Sequence, residues 1–131
     1  MTMKHAFLIM AHGSLPLLRV LLSMLDDERN DIFLHIDRKS DMLDGAEPLV
    51  LSKARLFVLE QRVDVRWGNL SQIKAEYVLF EEALKHGPYA YYHLLSGQDL
   101  PIKSQDYIHR FFEEHQGKEF VGINHGEEFE W

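Results

Sequence analysis

Four short stretches of the chain gather residue types that can do chemistry. Ala11-His12-Gly13 follows an apolar run, and His35-Ile36-Asp37 closes a second one. Arg66-Trp67-Gly68-Asn69 precedes a helical pattern, and Ser96-Gly97-Gln98-Asp99 closes another apolar run ahead of Leu100-Pro101-Ile102-Lys103. Small residues let a ligand approach the backbone closely. A carboxylate such as Asp37 or Asp99 accepts from a ribose hydroxyl or a base N–H, and the Trp67 indole offers a flat apolar surface. Brought to one rim, these groups meet the needs of a nucleotide pocket. A second chemistry is open to some of them. His12, His35, Asp37 and Asp99 are metal-ligand types, so a metal-dependent hydrolase is the alternative. Each residue also has an ordinary structural use. Histidines are commonly hydrogen-bonded structural groups, Asp37 and Asp99 suit caps and turns, Trp67 suits a core, and Tyr89, Tyr91 and Tyr92 suit strand packing. Neither a Gly-x-x-x-x-Gly-Lys loop nor a Gly-x-Gly-x-x-Gly string is present.

The elements that must position these groups follow from pattern. Ala6–Ala11 is apolar without alternation, which predicts a strand covered on both faces. Ser14 can cap a helix with Pro16 in its first turn, and Leu18, Leu21, Leu22 and Leu25 recur at helical spacing. Further strands are expected at Asp31–Ile36, Arg55–Leu59 and Tyr89–Leu95, a short one at Val63–Val65, and a last one at Glu119–Ile123. A short helix is expected over Glu47–Ala54. Asn69 can cap a long helix with Gln72 as capping-box partner, its inner face formed by Ile73, Tyr77, Phe80 and Leu84. His86-Gly87-Pro88 ends it. Ser104 can cap another helix, with Asp106 in its first turn and Ile108, Phe111 and Phe112 on its apolar side. Strand and helix alternate, which is the mark of an α/β fold with a mostly parallel sheet flanked by helices. In such folds ligands sit at the carboxyl ends of the strands, where the four chemical stretches fall.

Composition narrows the classes. The 131 residues carry 14 Lys and Arg against 21 Asp and Glu, a net charge of −7 with histidine neutral. That surplus of acid argues against a nucleic-acid partner, which needs a basic patch. At 46% apolar residues the chain has enough material for one core of ordinary domain size, and disorder is excluded. With no cysteine, a disulfide scaffold and any thiolate metal site are excluded. No membrane segment or secretory signal is visible, because Ala6–Ala11 is too short and Leu15–Leu25 is broken by Pro16, Arg19 and Ser23. A cytoplasmic chain is the expectation.

Four segments, in order, resemble a known family. They are Ala6-Phe-Leu-Ile-Met-Ala-His12, Ile32-Phe-Leu-His-Ile-Asp-Arg-Lys-Ser40, Val65-Arg-Trp-Gly-Asn-Leu-Ser71 and Tyr92-His-Leu-Leu-Ser-Gly-Gln-Asp-Leu-Pro-Ile-Lys-Ser104. The set is similar to the core-2/I-branching β-1,6-N-acetylglucosaminyltransferases, a family that also holds peptide O-xylosyltransferases. The last string is the most specific. The resemblance implies a GT-A fold, in which a Rossmann-like nucleotide-binding half joins an acceptor-binding half. It implies transfer of a sugar, N-acetylglucosamine or xylose, from a UDP-sugar to a glycan or peptide hydroxyl with inversion. A carboxylate would act as general base as UDP leaves. It also implies that no metal cofactor is needed, with basic side chains offsetting the diphosphate charge. Ser96-Gly97-Gln98-Asp99, with one carboxylate in place of an Asp-x-Asp pair, agrees with that.

Residue by residue, Ala11, His12 and Gly13 match the turn that touches the uridine, and Asp37 matches the aspartate that bonds the nucleoside. Arg66, Trp67 and Gly68 match a loop near the nucleotide, where Asn69 replaces a glycine common in the family. Asp99 and Lys103 belong to the signature string. The resemblance places the general base and the diphosphate-binding basic residues beyond Trp131, and nothing matches Glu127, Glu128 or Glu130 to either role. Residues 1–131 are therefore expected to be a single domain, the N-terminal UDP-sugar-binding part, inactive alone. A non-catalytic nucleotide-binding module is the other possibility. Apolar surface left uncovered by a missing half would favour a homo-oligomer. Without an N-terminal membrane anchor, the resemblance points to polysaccharide or surface-glycan synthesis in a bacterium.

Overall fold

A computed structural model describes residues 4–66 and 68–118. Seven elements follow one another: β1 (His5–Ala11), α1 (Leu15–Leu25), β2 (Asn30–Ile36), β3 (Arg55–Val58), α2 (Leu70–His86), β4 (Tyr91–Ser96) and α3 (Gln105–Glu114). The strands form one sheet in the order β3-β2-β1-β4, and every neighbouring pair is parallel. This is the α/β, Rossmann-like arrangement that the alternating pattern predicts. No helix among the described residues is long and apolar enough to cross a membrane.

The central strands carry long apolar runs because both faces are covered. Phe7, Ile9, Ile32 and Leu34 point to the side where Leu18, Leu21, Leu22 and Leu25 of α1 pack. Ala6, Leu8 and Phe33 point to the other side, against Leu79 and Ala83 of α2. Ser14 starts α1 as expected, its side chain accepting from the Leu17 N–H.

Several expectations are corrected. Residues 47–54 form no helix. Their backbone has a better partner: the Asp26 carboxylate accepts from the N–H groups of Ser52, Lys53 and Ala54, each at 2.8 Å, and Arg19 donates to the Glu47 carbonyl. Burial presses the Asp26 pKa up, but these donors outweigh it and the net shift is down. Val63–Val65 is not a strand; its pairing is limited to single bonds, such as that from the Arg38 N–H to the Val63 carbonyl. Asn69 does cap α2, accepting from the Ser71 N–H. Gln72 makes no capping box, because the Asn69 N–H is taken by the Arg66 carbonyl.

The buried face of α2 also differs from the expected one. It consists of Ala75, Leu79 and Ala83, whereas Ile73, Tyr77 and Leu84 are 48%, 66% and 66% exposed. Ala75 and Ala83, about two turns apart on either side of Leu79, let the helix lie close on the sheet, and that close seat decides the rotation against the larger side chains. The expected strand at Glu119–Ile123 lies outside the described residues.

At the amino end of the sheet, Asp31 has no solvent exposure. Its carboxylate accepts from Tyr89 Oη at 2.6 Å, from Arg55 at 2.6 and 3.1 Å and from Lys4 at 3.2 Å. Burial pushes the carboxyl pKa up, and these partners more than reverse it. Asp31 thus joins the starts of all four strands.

Removing Asp31 (Asp31→Ala) strands the buried Tyr89 hydroxyl, while Lys4 and Arg55 can return to water. The expected loss is about 1–3 kcal/mol in urea unfolding. For α2, Leu79→Ala is expected to cost about 2–5 kcal/mol and Tyr77→Ala less than about 0.5 kcal/mol. Equal losses would mean that the helix is rotated from the position described.

Candidate functional site

The strand order places the reversal point between β1 and β4: the chain runs outward from β1 to β2 and β3, then returns to the other side of β1. Crevices for ligands open at the carboxyl ends of strands flanking such a point. There the Gly97 N–H donates to the Met10 carbonyl at 2.9 Å. A Cβ on Gly97 would fall 3.0 Å from the Ala11 Cβ. Ala11 and Gly97 are therefore small because these two rims touch, and neither brings a long side chain to this point of the rim. His12 and Gly13 follow in an exposed turn, with Gly13 at a φ of 90°.

Asp37 sits beside this point. Its N–H donates to the Ala11 carbonyl at 2.9 Å, which ties the ends of β1 and β2. Its Oδ1 accepts from the N–H of Lys39 at 3.1 Å and of Val65 at 3.3 Å. The Lys39 ammonium approaches its Oδ2 at 3.3 Å. Burial raises the Asp37 pKa, the two N–H donors and Lys39 lower it, and the net shift is down, so the carboxylate is charged at neutral pH.

Lys39 does more than neutralise Asp37. It bonds Asp64 at 2.6 Å and the Val65 carbonyl, and Asp64 above all raises its pKa. Arg62 donates to the carbonyls of Ile36, Asp37 and Ser40. The loop that leads to Trp67 is in this way fastened to the end of β2. Trp67 itself lies outside the described residues. Its neighbours are placed: Arg66 is exposed with Nη2 3.6 Å from Asp64, and Gly68 holds a φ of 74°, a value open to glycine at little strain.

Asp99 has a local use. Its Oδ2 accepts from the Ser96 N–H at 2.8 Å, and the Gln98 N–H donates to Ser96 Oγ at 3.0 Å. The Ser96–Asp99 string is thus a self-bonded turn at the β4 end. Lys103 lies over the Tyr107 ring, 5.0 Å from its centroid.

The structure brings Ala11, Asp37, Gly97 and the loop through Arg66 to one rim. It does not assemble the ligand set that metal-dependent hydrolysis requires. Among the described residues no three His, Asp or Glu side chains are grouped as metal ligands. His35 is buried, and its Nε2 accepts from the Val63 N–H at 2.9 Å, so the lone pair a metal would need is already used. Burial lowers its pKa against the opposing pull of Asp37. A concavity of about 500 Å³ lies elsewhere, lined by Asp27, Glu28, Arg29, Lys53 and Asp106. Arg29 there already pairs with Asp27 and Asp106.

Sequence comparison decides what this rim belongs to. A family profile described as Core-2/I-Branching enzyme matches residues 5–130. The chain is a member of the core-2/I-branching enzyme family. That family consists of glycosyltransferases. A search of curated proteins gives no match to the chain. Sequence reasoning missed Lys39, Arg62 and Asp64 as the frame of the family's rim. The Asp37-Arg38-Lys39 string was in view, but the register of residues 62–66 against it is a long-range contact with no local signature.

The frame makes a prediction. Asp37→Ala removes the acceptor for two backbone donors, so amide exchange at Lys39 and Val65 is expected to rise at least about tenfold. Exchange in the core of β2, at Ile32 to Leu34, stays slow. Unchanged exchange at Val65 would show that the loop is held by other means.

Proposed function

We propose that this core-2/I-branching family member binds the nucleotide of a UDP-sugar at the crevice between β1 and β4, as the donor-binding portion of an inverting glycosyltransferase. The observation that carries this is the Ala11–Gly97 contact at the strand-order reversal, where neither residue has a long side chain, with the charged carboxylate of Asp37 beside it. Small residues at the rim suit the ribose and pyrimidine, and the partly bonded Oδ2 of Asp37 retains capacity to accept from a hydroxyl or a base N–H. His12, Gly13, Arg66 and Gly68 form the lips, the Trp67 indole is the group that would stack on the base, and Asp99 acts by holding the β4 turn. The donor sugar is N-acetylglucosamine or a pentose such as xylose, and the acceptor is a hydroxyl of a glycan or peptide.

The general base is not among these residues. The rim carboxylates are engaged by the chain's own donors: Asp37 by Lys39 and Val65, Asp64 by Lys39, and Asp99 by Ser96. A base must take a proton from an acceptor hydroxyl, and a carboxylate held down in pKa by a neighbouring ammonium is poorly suited to that. Asp64, lowered chiefly by Lys39, is such a group. We therefore assign donor binding to this rim, and the family resemblance assigns the proton transfer to residues other than 1–131. The diphosphate is offset by basic side chains, with no divalent ion.

Calorimetry with UDP tests the assignment. Binding is expected with or without chelator, and Asp37→Ala and Trp67→Ala should each weaken it at least about tenfold, or about 1.4 kcal/mol. The 131-residue chain is expected to transfer no sugar. Absence of heat with UDP would overturn the crevice assignment, and sugar transfer by this chain would overturn the placement of the base.

A further inference from the structure

The amino end of the sheet, opposite the crevice, holds a group that donor binding does not use. His5 opens β1, His93 lies in β4 and His109 in α3. His5 Nδ1 and His93 Nε2 are 3.0 Å apart. The ring centroids of His5 and His109 are 4.0 Å apart. His109 Nε2 lies 2.8 Å from Asn30 Oδ1. The Asn30 amide nitrogen donates to Gln105 Oε1 and to the Leu25 carbonyl. Phe112 of α3 sets its ring edge-on to both His5 and His93, at 5.7 and 4.8 Å. His5 and His109 are 4% and 5% exposed. The seam between α3 and the sheet is thus built on three imidazoles.

The geometry suits the neutral rings. An N···N contact of 3.0 Å needs one N–H and one bare nitrogen, so the His5–His93 bond cannot survive a proton on both facing atoms. Because the Asn30 amide nitrogen is committed as a donor, Asn30 Oδ1 is the acceptor and His109 carries its proton on Nε2. A positive charge on His5 would meet one on His109 at van der Waals range. The charged groups around the cluster do not relieve this. Arg29, before β2, repels protons on His5 and His109. Asp27, Asp106 and Glu113 attract one to His109, but Asp27 and Asp106 are already bonded to Arg29 at 2.8 and 2.9 Å.

We propose that His5, His93 and His109 form an acid-sensitive latch, which holds α3 against the sheet while the rings are neutral and lets it go when they take up protons. α3 follows the Ser96–Ser104 segment directly, so its release would also loosen the β4 end of the crevice. Burial, then His109, His93 and Arg29, brings the His5 pKa down to about 3. Burial, then His109, brings that of His93 to about 4. Burial and Arg29 lower that of His109. All three lie below the value for a free imidazole, so the released state binds more protons. The docked state is fully favoured above about pH 6.5 and loses ground as pH falls toward the depressed values. Each histidine freed should raise the open fraction about tenfold per pH unit below about 6.5. The carboxylates Asp26, Asp27 and Asp31 are shifted below 3.8 and act only in stronger acid.

Hydrogen exchange on the full chain between about pH 7 and about pH 5, corrected for the intrinsic rate, reads the latch. Protection of the α3 amides at Ile108 to Phe112 relative to Phe7 to Ile9 of β1 is expected to hold level down to about pH 6.5 and then to fall at least about tenfold per pH unit. In His93→Phe, where the new ring would lie between Phe7 and Phe112, the pH slope should drop by about one histidine's share. Imidazole NMR on the unaltered chain gives an independent reading: the three rings should remain neutral as long as α3 stays protected. A constant ratio of α3 to β1 protection across this range would overturn the proposal, as would ring titration near pH 6.5 with α3 still protected. The latch does not depend on donor binding, so a chain that binds no UDP but shows the exchange slope would retain it.

Discussion

A carboxylate enclosed by protein must find partners, and Asp31 finds one at or just before the start of each of the other three strands. Lys4 stands at the start of β1, Arg55 at the start of β3 and Tyr89 at the approach to β4. Parallel strands need such a device. They are not joined by tight turns, so nothing local fixes how far one strand is slid along the next. Asp31 provides a common point at the amino end. From it the strands run parallel, and their carboxyl ends arrive level enough for Ala11, Asp37 and Gly97 to meet. The geometry of the crevice at one end is therefore set by a charge at the other.

The two ends of the sheet differ in what they do with polarity. At the amino end, the buried Asp31, His5 and His109 are held by neighbouring side chains, which fits a structural role. At the carboxyl end, the exposed turn at His12 and Gly13 and the mostly buried carboxylate of Asp37 share one rim. Lys39 links the two functions of that rim: it holds the loop leading to Trp67, and with two backbone donors it lowers the Asp37 pKa. A side chain that positions a loop and shifts the pKa of its neighbour cannot be replaced by an uncharged one without changing both.

The class of fold and the order of its elements were legible in residues 4–118, since unbroken apolar runs mark strands covered on both faces. The caps at Ser14, Asn69 and Ser104 were legible too, as their chemistry is confined to three or four neighbouring residues. The failures have a common cause. The stretch from Glu47 to Ala54 has some helical pattern, yet Asp26, more than twenty positions earlier, takes its backbone donors. On α2 the larger side chains suggested the face of Ile73, Tyr77, Phe80 and Leu84; Phe80 does pack against the core, but the buried face is that of Ala75, Leu79 and Ala83.

By itself the sequence determined the alternation of strand and helix, the family to which the chain belongs and the residue types at each strand end. Those depend on local backbone preference and on strings of adjacent residues. Only the tertiary structure decided that Asp99 closes a turn, that His35 is a buried acceptor for Val63, that Lys39 and Asp64 frame the rim, and that three histidines meet beneath α3. These depend on register between segments distant in the chain. Register is fixed by packing and by the need of buried polar atoms for partners, and neither is written in any one segment.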